Sequence, residues 1–129
     1  MIVPRAPDGV SLHLNMGTAR HYKVRYKYGR GALLWFWFYE QVRNGGPWDY
    51  KKGGSEFEDF GNFHYGAVGT AAGFSSAILH RAAGAAQFRA GTTKEGVTWP
   101  DWFTPPYGDD KNDQIQIAEG IKYAICHPI

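Results

Sequence analysis

Apolar residues recur along this chain in short helical bursts, and glycine and proline separate the bursts. From Ser11, a good N-cap residue, Leu12, Met16 and Ala19 fall on one face of a helix running to about Arg20. His21 to Tyr28 then alternates Tyr22, Val24, Tyr26 and Tyr28 with basic residues. That period is strand-like, and an amphipathic loop fits it equally. Gly31 to Val42 is apolar all round through Leu33-Leu34-Trp35-Phe36-Trp37-Phe38-Tyr39. It reads as a central buried helix, with a buried strand as the rival. Asn44-Gly45 favours the helix, because it is a normal C-terminal stop.

Trp48 to Ser55 is a polar, Gly-rich loop by composition. Glu56 to Gly73 turns into a helix of small residues, Gly66, Ala67, Gly69, Ala71 and Ala72, and if its aromatic-rich start is simply core, Asp59 is expected to cap it. Ser75 caps a further helix to about Arg89, with Ile78, Leu79, Ala82, Ala86 and Phe88 available to pack. Gly91 to Tyr107 is a long aromatic loop holding Pro100, Pro105 and Pro106. Asp109 or Asp110 caps a last helix whose expected apolar face is Ile115, Ala118, Ile121 and Ile125. The sum is a mainly α fold: one compact helical domain over residues 1–129, with long aromatic, Gly-rich loops and at most a minor β-hairpin.

Composition sharpens this picture in two places. Eight Phe, eight Tyr and five Trp make 16% of the chain, and Leu33 to Tyr39 absorbs only part of them. The rest sit inside polar, Gly-rich motifs, where aromatics line sites. The net charge of +2 is too weak to demand nucleic acid or anionic lipid as a partner. A lone Cys126 excludes an internal disulfide framework and a Cys-cluster zinc site. No run reaches the ~18–20 apolar residues of a membrane span, and the Ala32 to Tyr39 run lacks the flanks of a signal peptide. Export information, if the domain is exported, is expected on a larger carrier.

Three clusters carry candidate chemistry. Trp48-Asp49-Tyr50-Lys51 sets an acid and a base beside aromatic platforms, although a structural turn anchored by Trp48 accounts for it as well. Glu56 through Tyr65 supplies Glu56, Glu58 and Asp59 as acids, Asn62 as an amide and His64 as a group titrating near neutrality. An aromatic pocket there can raise one carboxyl pKa while a polar setting keeps another ionised. Tyr107-Gly108-Asp109-Asp110-Lys111-Asn112-Asp113-Gln114 holds three aspartates, two of which a helix cap and first turn explain. Its spacing is not an EF-hand. Phosphate loops, nucleophile elbows and His-Glu-x-x-His are all missing. No cofactor or resident metal is expected, although the acidic positions leave room for a divalent ion.

Taken in order, these motifs resemble the bacterial polymorphic toxin type 44 domain. The resemblance rests on Pro7-Asp8-Gly9-Val10-Ser11, Phe38-Tyr39 through Val42-Arg43-Asn44, and Gly46-Pro47-Trp48-Asp49-Tyr50-Lys51. It continues with Asp59-Phe60-Gly61-Asn62-Phe63-His64-Tyr65-Gly66-Ala67, Gly69 and Gly73, and Ala82-Ala83-Gly84 before Gln87. Pro105-Pro106-Tyr107-Gly108-Asp109-Asp110, Asp113-Gln114, and Gly120-Ile121 before Tyr123 close it. The chain departs from the pattern in a longer, more basic His21 to Arg30, in Lys111 where proline is expected, and in a shortened Thr92 to Thr104. The resemblance implies a monomeric C-terminal toxin module on a secreted carrier, delivered into rival bacteria and blocked by a cognate immunity protein.

It does not fix the reaction, and two hydrolytic classes compete. A cell-wall glycosidase would act in the periplasm through Glu56 or Asp59 paired with Asp109 or Asp110, at the separations of retaining or inverting enzymes. Trp48, Tyr65 and Tyr107 would stack on sugars, with Asp49, Asn62, Gln87, Asp110 and Asp113 as further substrate contacts. A ribonuclease would act in the cytoplasm, with Lys51 on the phosphate, His64 as acid or base and Asp59 orienting it. A non-enzymatic pore-former or binding module ranks third. The carboxylate-rich motifs and weak charge favour the wall.

Overall fold

The computed structural model describes residues 2–29, 31–89 and 111–128. Among the described residues there are five α-helices and no strand. They are α1 (Leu12–Arg25), α2 (Gly31–Val42), α3 (Glu58–Ala71), α4 (Ser76–Arg89) and α5 (Lys111–Cys126). Two 3-10 turns, Tyr50–Gly53 and Ser55–Phe57, join α2 to α3. The fold is mainly helical, as the sequence pattern predicts.

α3 is the axis, and α5, α1, α4 and the first 3-10 turn all pack against it. Its contact with α5 is backbone against backbone. A Cβ on Gly66 would run into the Ile117 carbonyl, and one on Gly120 into the Phe63 carbonyl. Only glycine permits such an approach. Asn62 lies opposite Asp113, Gly66 opposite Ile117, and Thr70 and Ala71 share a groove with Ala124 and Ile125. The pairing ascends in both helices, so α3 and α5 run parallel and start at the same end of the molecule. Phe60, Phe63, Ala67, Val68, Met16, Leu79 and Ile117 form the centre of the core.

α1 begins where the sequence places it. Ser11 is extended, and its Oγ accepts from the Leu14 N–H at 3.2 Å. Leu12, Met16 and Ala19 are buried. The strand-like reading of His21 to Tyr28 is overturned, because the helix continues to Arg25. Tyr22 and Tyr26, four residues apart, stack at 6.0 Å, and Tyr22 stacks on Trp37 of α2 at 4.1 Å. The tyrosines that look alternating are also at helical spacing, and this packing decides between the two periods. The turn after α1 holds Tyr28 at φ 63 and Gly29 at φ 86. The left-handed tyrosine costs about 1 kcal/mol.

α2 is the expected helix but not a central one. Leu34 and Phe38 are buried, whereas Leu33, Phe36 and Tyr39 face outward. Because the core is built on α3, α2 lies at its edge and buries a single stripe. Trp35 and Phe38 pack on Phe74, and Trp37 meets the edge of Trp48. Gly45 ends the segment in the left-handed region at φ 83.

The expected Asp59 cap is also replaced. The second 3-10 turn winds directly into α3, Phe57 takes the cap position with no side-chain bond, and Asp59 sits in the first turn. Ser75 caps α4 as anticipated, with its Oγ accepting from the Ile78 N–H at 3.3 Å. Leu79 of α4 is buried over Gly69, while Ile78 is exposed; the side chains of Ala86 and Phe88 lie outside the described residues, as do the aromatic loop and the Asp109 or Asp110 cap. The face of α5 differs from the apolar reading. Asp113, Gln114, Ile117, Gly120, Ile121, Tyr123 and Ala124 are buried, and Ile115, Ala118 and Ile125 are exposed.

Two glycine substitutions test the helix pairing. Gly120→Ala is expected to destabilise the fold by about 3 kcal/mol or more, since backbone has to move. Gly17→Ala, in α1 with nothing within 4 Å of the new methyl, is expected to stabilise by about 0.5–1 kcal/mol. Urea denaturation of the two variants reads both signs.

Candidate functional site at the paired helix starts

Two polar groups sit on different sides of α3, and consecutive residues of the first 3-10 turn feed them. The inner group centres on His64, which is fully buried. The Asn15 amide donates to Tyr50 Oη at 3.0 Å and meets His64 Nε2 at 3.0 Å. With Asn15 as donor, Nε2 accepts and the ring proton sits on Nδ1, which is buried without a hydrogen-bond partner among the described residues. The rings of Trp48, Tyr50 and Phe60 enclose the imidazole at 5.3, 4.8 and 5.5 Å. Burial pushes the His64 pKa from 6.5 down to about 3. Burial likewise raises the Tyr50 phenol, with the Asn15 hydrogen bond opposing it. At neutral pH this group is an uncharged, enclosed network.

The outer group centres on Asp113, in the first turn of α5 and buried. Asn62 Nδ2 donates to Asp113 Oδ1 at 2.9 Å. Lys51 Nζ stands 3.8 Å from Asp113 Oδ2, with its side chain 42% exposed. The Lys51 stem crosses α3 at Gly61, where a Cβ would come within 2.8 Å of Lys51 Cγ. Gly61 thus makes room for the chain's own lysine. A buried carboxylate with an amide on one oxygen and an ammonium on the other is oriented on both sides.

The remaining sequence candidates divide by place. Glu56, in the second 3-10 turn, and Asp59, in the first turn of α3, are both exposed. Asp49 Oδ2 accepts from the Gly45 N–H at 2.9 Å, which ties it to the turn after α2. Trp48 is half-buried between Trp37 and His64. Tyr65 donates its hydroxyl to the Leu79 carbonyl at 2.6 Å and packs on Phe38. Tyr107, Asp109 and Asp110 lie outside the described residues, as does the side chain of Gln87. The structure brings Lys51, Asn62 and Asp113 together, and does not bring Asp59 or Lys51 into hydrogen-bond or ion-pair contact with His64. No three His, Cys, Asp or Glu side chains among the described residues are grouped to hold a metal.

Sequence reasoning passed over Asn15. Its signal was there, because Asn15 stands three residues after Leu12 and four before Ala19, on the apolar stripe of α1. A polar residue on such a stripe needs a buried partner.

A sequence model of the bacterial toxin 44 family matches residues 54–125. The chain belongs to that family. The matched segment opens just before α3 and closes inside α5, so it holds the parallel helix pair, Asn62, His64 and Asp113. α1, α2, Asn15 and the Trp48 to Lys51 turn lie outside it. No curated protein and no solved structure matches the chain.

Acid stability tests the enclosed histidine. The folded His64 stays neutral down to about pH 3, while the unfolded one takes up a proton below its ordinary 6.5. Between those values the unfolded state binds more protons, so stability is full above pH 6.5 and falls as pH drops towards 3. The slope from this residue approaches 1.4 kcal/mol per pH unit, roughly. His64→Gln keeps a partner for Asn15 and is expected to flatten the slope in urea melts across that window. Burial also lowers the His80 pKa, against a hydrogen bond from Gln114, so a shallower dependence of the same sign remains.

Proposed function

We propose that this domain is an antibacterial effector that hydrolyses the glycan of a rival cell wall, with its reacting groups where α3 and α5 start. One observation carries the reading: the parallel pairing of those helices. It sets Asp113, with Lys51 and Asn62 on its carboxylate, at the end of the molecule where α3 starts, and Asp59 belongs to that start with Glu56 in the turn before it. Asp109 and Asp110 directly precede α5 in the chain. Glycan cleavage needs one carboxyl group to protonate the leaving oxygen and a second to attack or to activate water, about 5–9.5 Å apart. The proposed pair joins Glu56 or Asp59 to an acid from the approach to α5, namely Asp109, Asp110 or Asp113. Lys51 and Asn62 hold the Asp113 carboxyl group in one orientation.

The ribonuclease alternative draws less support. It asks His64 to exchange protons with substrate, whereas the ring is enclosed and neutral, with Asn15 on the nitrogen that has a partner. It also asks Lys51 to hold phosphate, and that ammonium faces Asp113. In the proposed biology the domain travels on a secreted carrier, acts in the periplasm of the target cell, and is held by an immunity protein in the producer.

Directed expression tests this. Export to the periplasm is expected to lyse cells, and the purified domain is expected to release reducing sugar ends from sacculi. Asp113→Asn, which keeps the size and a hydrogen bond to Asn62, is expected to cut that release by about 100-fold or more. Killing by cytoplasmic expression alone, with RNA degraded and sacculi intact, would sink the wall reading.

A further inference from the structure

Charge is unevenly spread between the two parts of this molecule. Residues 9–39 contain Arg20, Lys23, Arg25, Lys27 and Arg30 and not one Asp or Glu. The rest of the chain has nine Lys and Arg against twelve acids, so a formal +5 faces a formal −3. The basic stretch is α1, its following turn and most of α2. Among the described residues neither Lys23, Arg25 nor Lys27 is in an ion pair. Arg25 and Lys27 instead lie over Tyr26 and Tyr28, at 5.9 and 5.0 Å.

The same stretch exposes apolar side chains. On the outer face of α2, Phe36 is 62% and Leu33 52% exposed, with Tyr39 beside them. Val24 and Tyr28 are exposed on the preceding elements. A stable surface helix of a globular domain normally turns polar residues outward, and α2 turns Leu33, Phe36 and Tyr39.

We propose that the α1–α2 pair is a docking surface for an anionic lipid bilayer. The bilayer matches both features at once: headgroups attract the unpaired cations, and the boundary with the acyl chains takes up Leu33 and Phe36. Tyr28, in the turn before α2, and Tyr39, on its outer face, are exposed amphipathic rings of the kind that settle at headgroup level. Nucleic acid satisfies the charge but leaves Leu33 and Phe36 in water. No helix among the described residues is long and apolar enough to cross a membrane, so the contact is one of lying on the surface. The surface lies outside the family-matched segment, and Lys51, Asn62 and Asp113 are not among its residues.

Flotation of the full chain with lipid vesicles tests the proposal. Binding is expected to vesicles of phosphatidylcholine mixed with phosphatidylglycerol, and not to phosphatidylcholine alone. It is expected to fall more than about tenfold between ~0.1 and ~1 M salt, as screening shortens. Leu33→Ser with Phe36→Ser, and separately Arg25→Glu with Lys27→Glu, are each expected to weaken binding by about tenfold or more, with unchanged thermal melts. Equal binding to both vesicle types, binding to neither, or binding that survives both pairs of changes overturns the proposal. So does a shift by total RNA, with vesicles ignored, that Arg25→Glu with Lys27→Glu abolishes and Leu33→Ser with Phe36→Ser leaves. Purified sacculi contain no bilayer, so sacculus digestion by the same variants reads the hydrolase separately from docking.

Discussion

The contact of α3 with α5 through Gly66 and Gly120 is the constraint on which the rest depends. Bulky side chains at those points would hold the helices a side chain apart. Without them the backbones touch, and two things follow. The crossing is fixed in register, because carbonyls of each helix fit against glycines of the other. The direction is fixed too, since Asn62 meets Asp113 one turn before Gly66 meets Ile117. A parallel pair cannot be made by a short turn, and α4 lies between the two helices in the chain. Asp113, in the first turn of α5, then lies against Asn62 of α3, and Lys51 meets it from outside the pair.

Buried polar residues in this domain have different consequences according to their partners. Asp113 is held by an amide and an ammonium, and its other side opens towards the exposed Lys51. His64 is held by Asn15, and aromatic rings close the remaining approaches. Desolvation penalises charge in both places, but only Asp113 has an opposite charge beside it. Both residues lie in the family-matched segment.

The sequence was legible where local rules and burial agree. Ser11 and Ser75 cap because their hydroxyls satisfy N–H groups that any helix leaves open, and the prediction needed no tertiary knowledge. Leu12, Met16 and Ala19 follow from spacing alone. The face of α5 was not legible, because its buried stripe contains Asp113, Gln114 and Gly120, while Ile115 and Ile125 stand outside. Apolar periodicity cannot find a stripe whose polar members are satisfied by another helix. The His21 to Tyr28 segment failed for a related reason: alternation and helical spacing coexist in it, and Trp37 decides. At the site, Lys51, Asn62 and Asp113 were each named as candidates from their motifs. Their meeting point was hidden, because it depends on the direction in which α5 returns.

The two polar groups are linked through the short turn between α2 and α3. Tyr50 and Lys51 are consecutive, yet one hydrogen-bonds within the inner network and the other ion-pairs in the outer one. A rigid turn cannot move one without the other. Anchoring Tyr50 against His64, Phe60 and Asn15 therefore sets where the Lys51 stem can cross Gly61, and hence where its ammonium meets Asp113. In this arrangement the enclosed histidine packs on the turn that carries Lys51. It also gives α1 a part in the site, since Asn15 is the residue that closes the inner network from outside the matched segment.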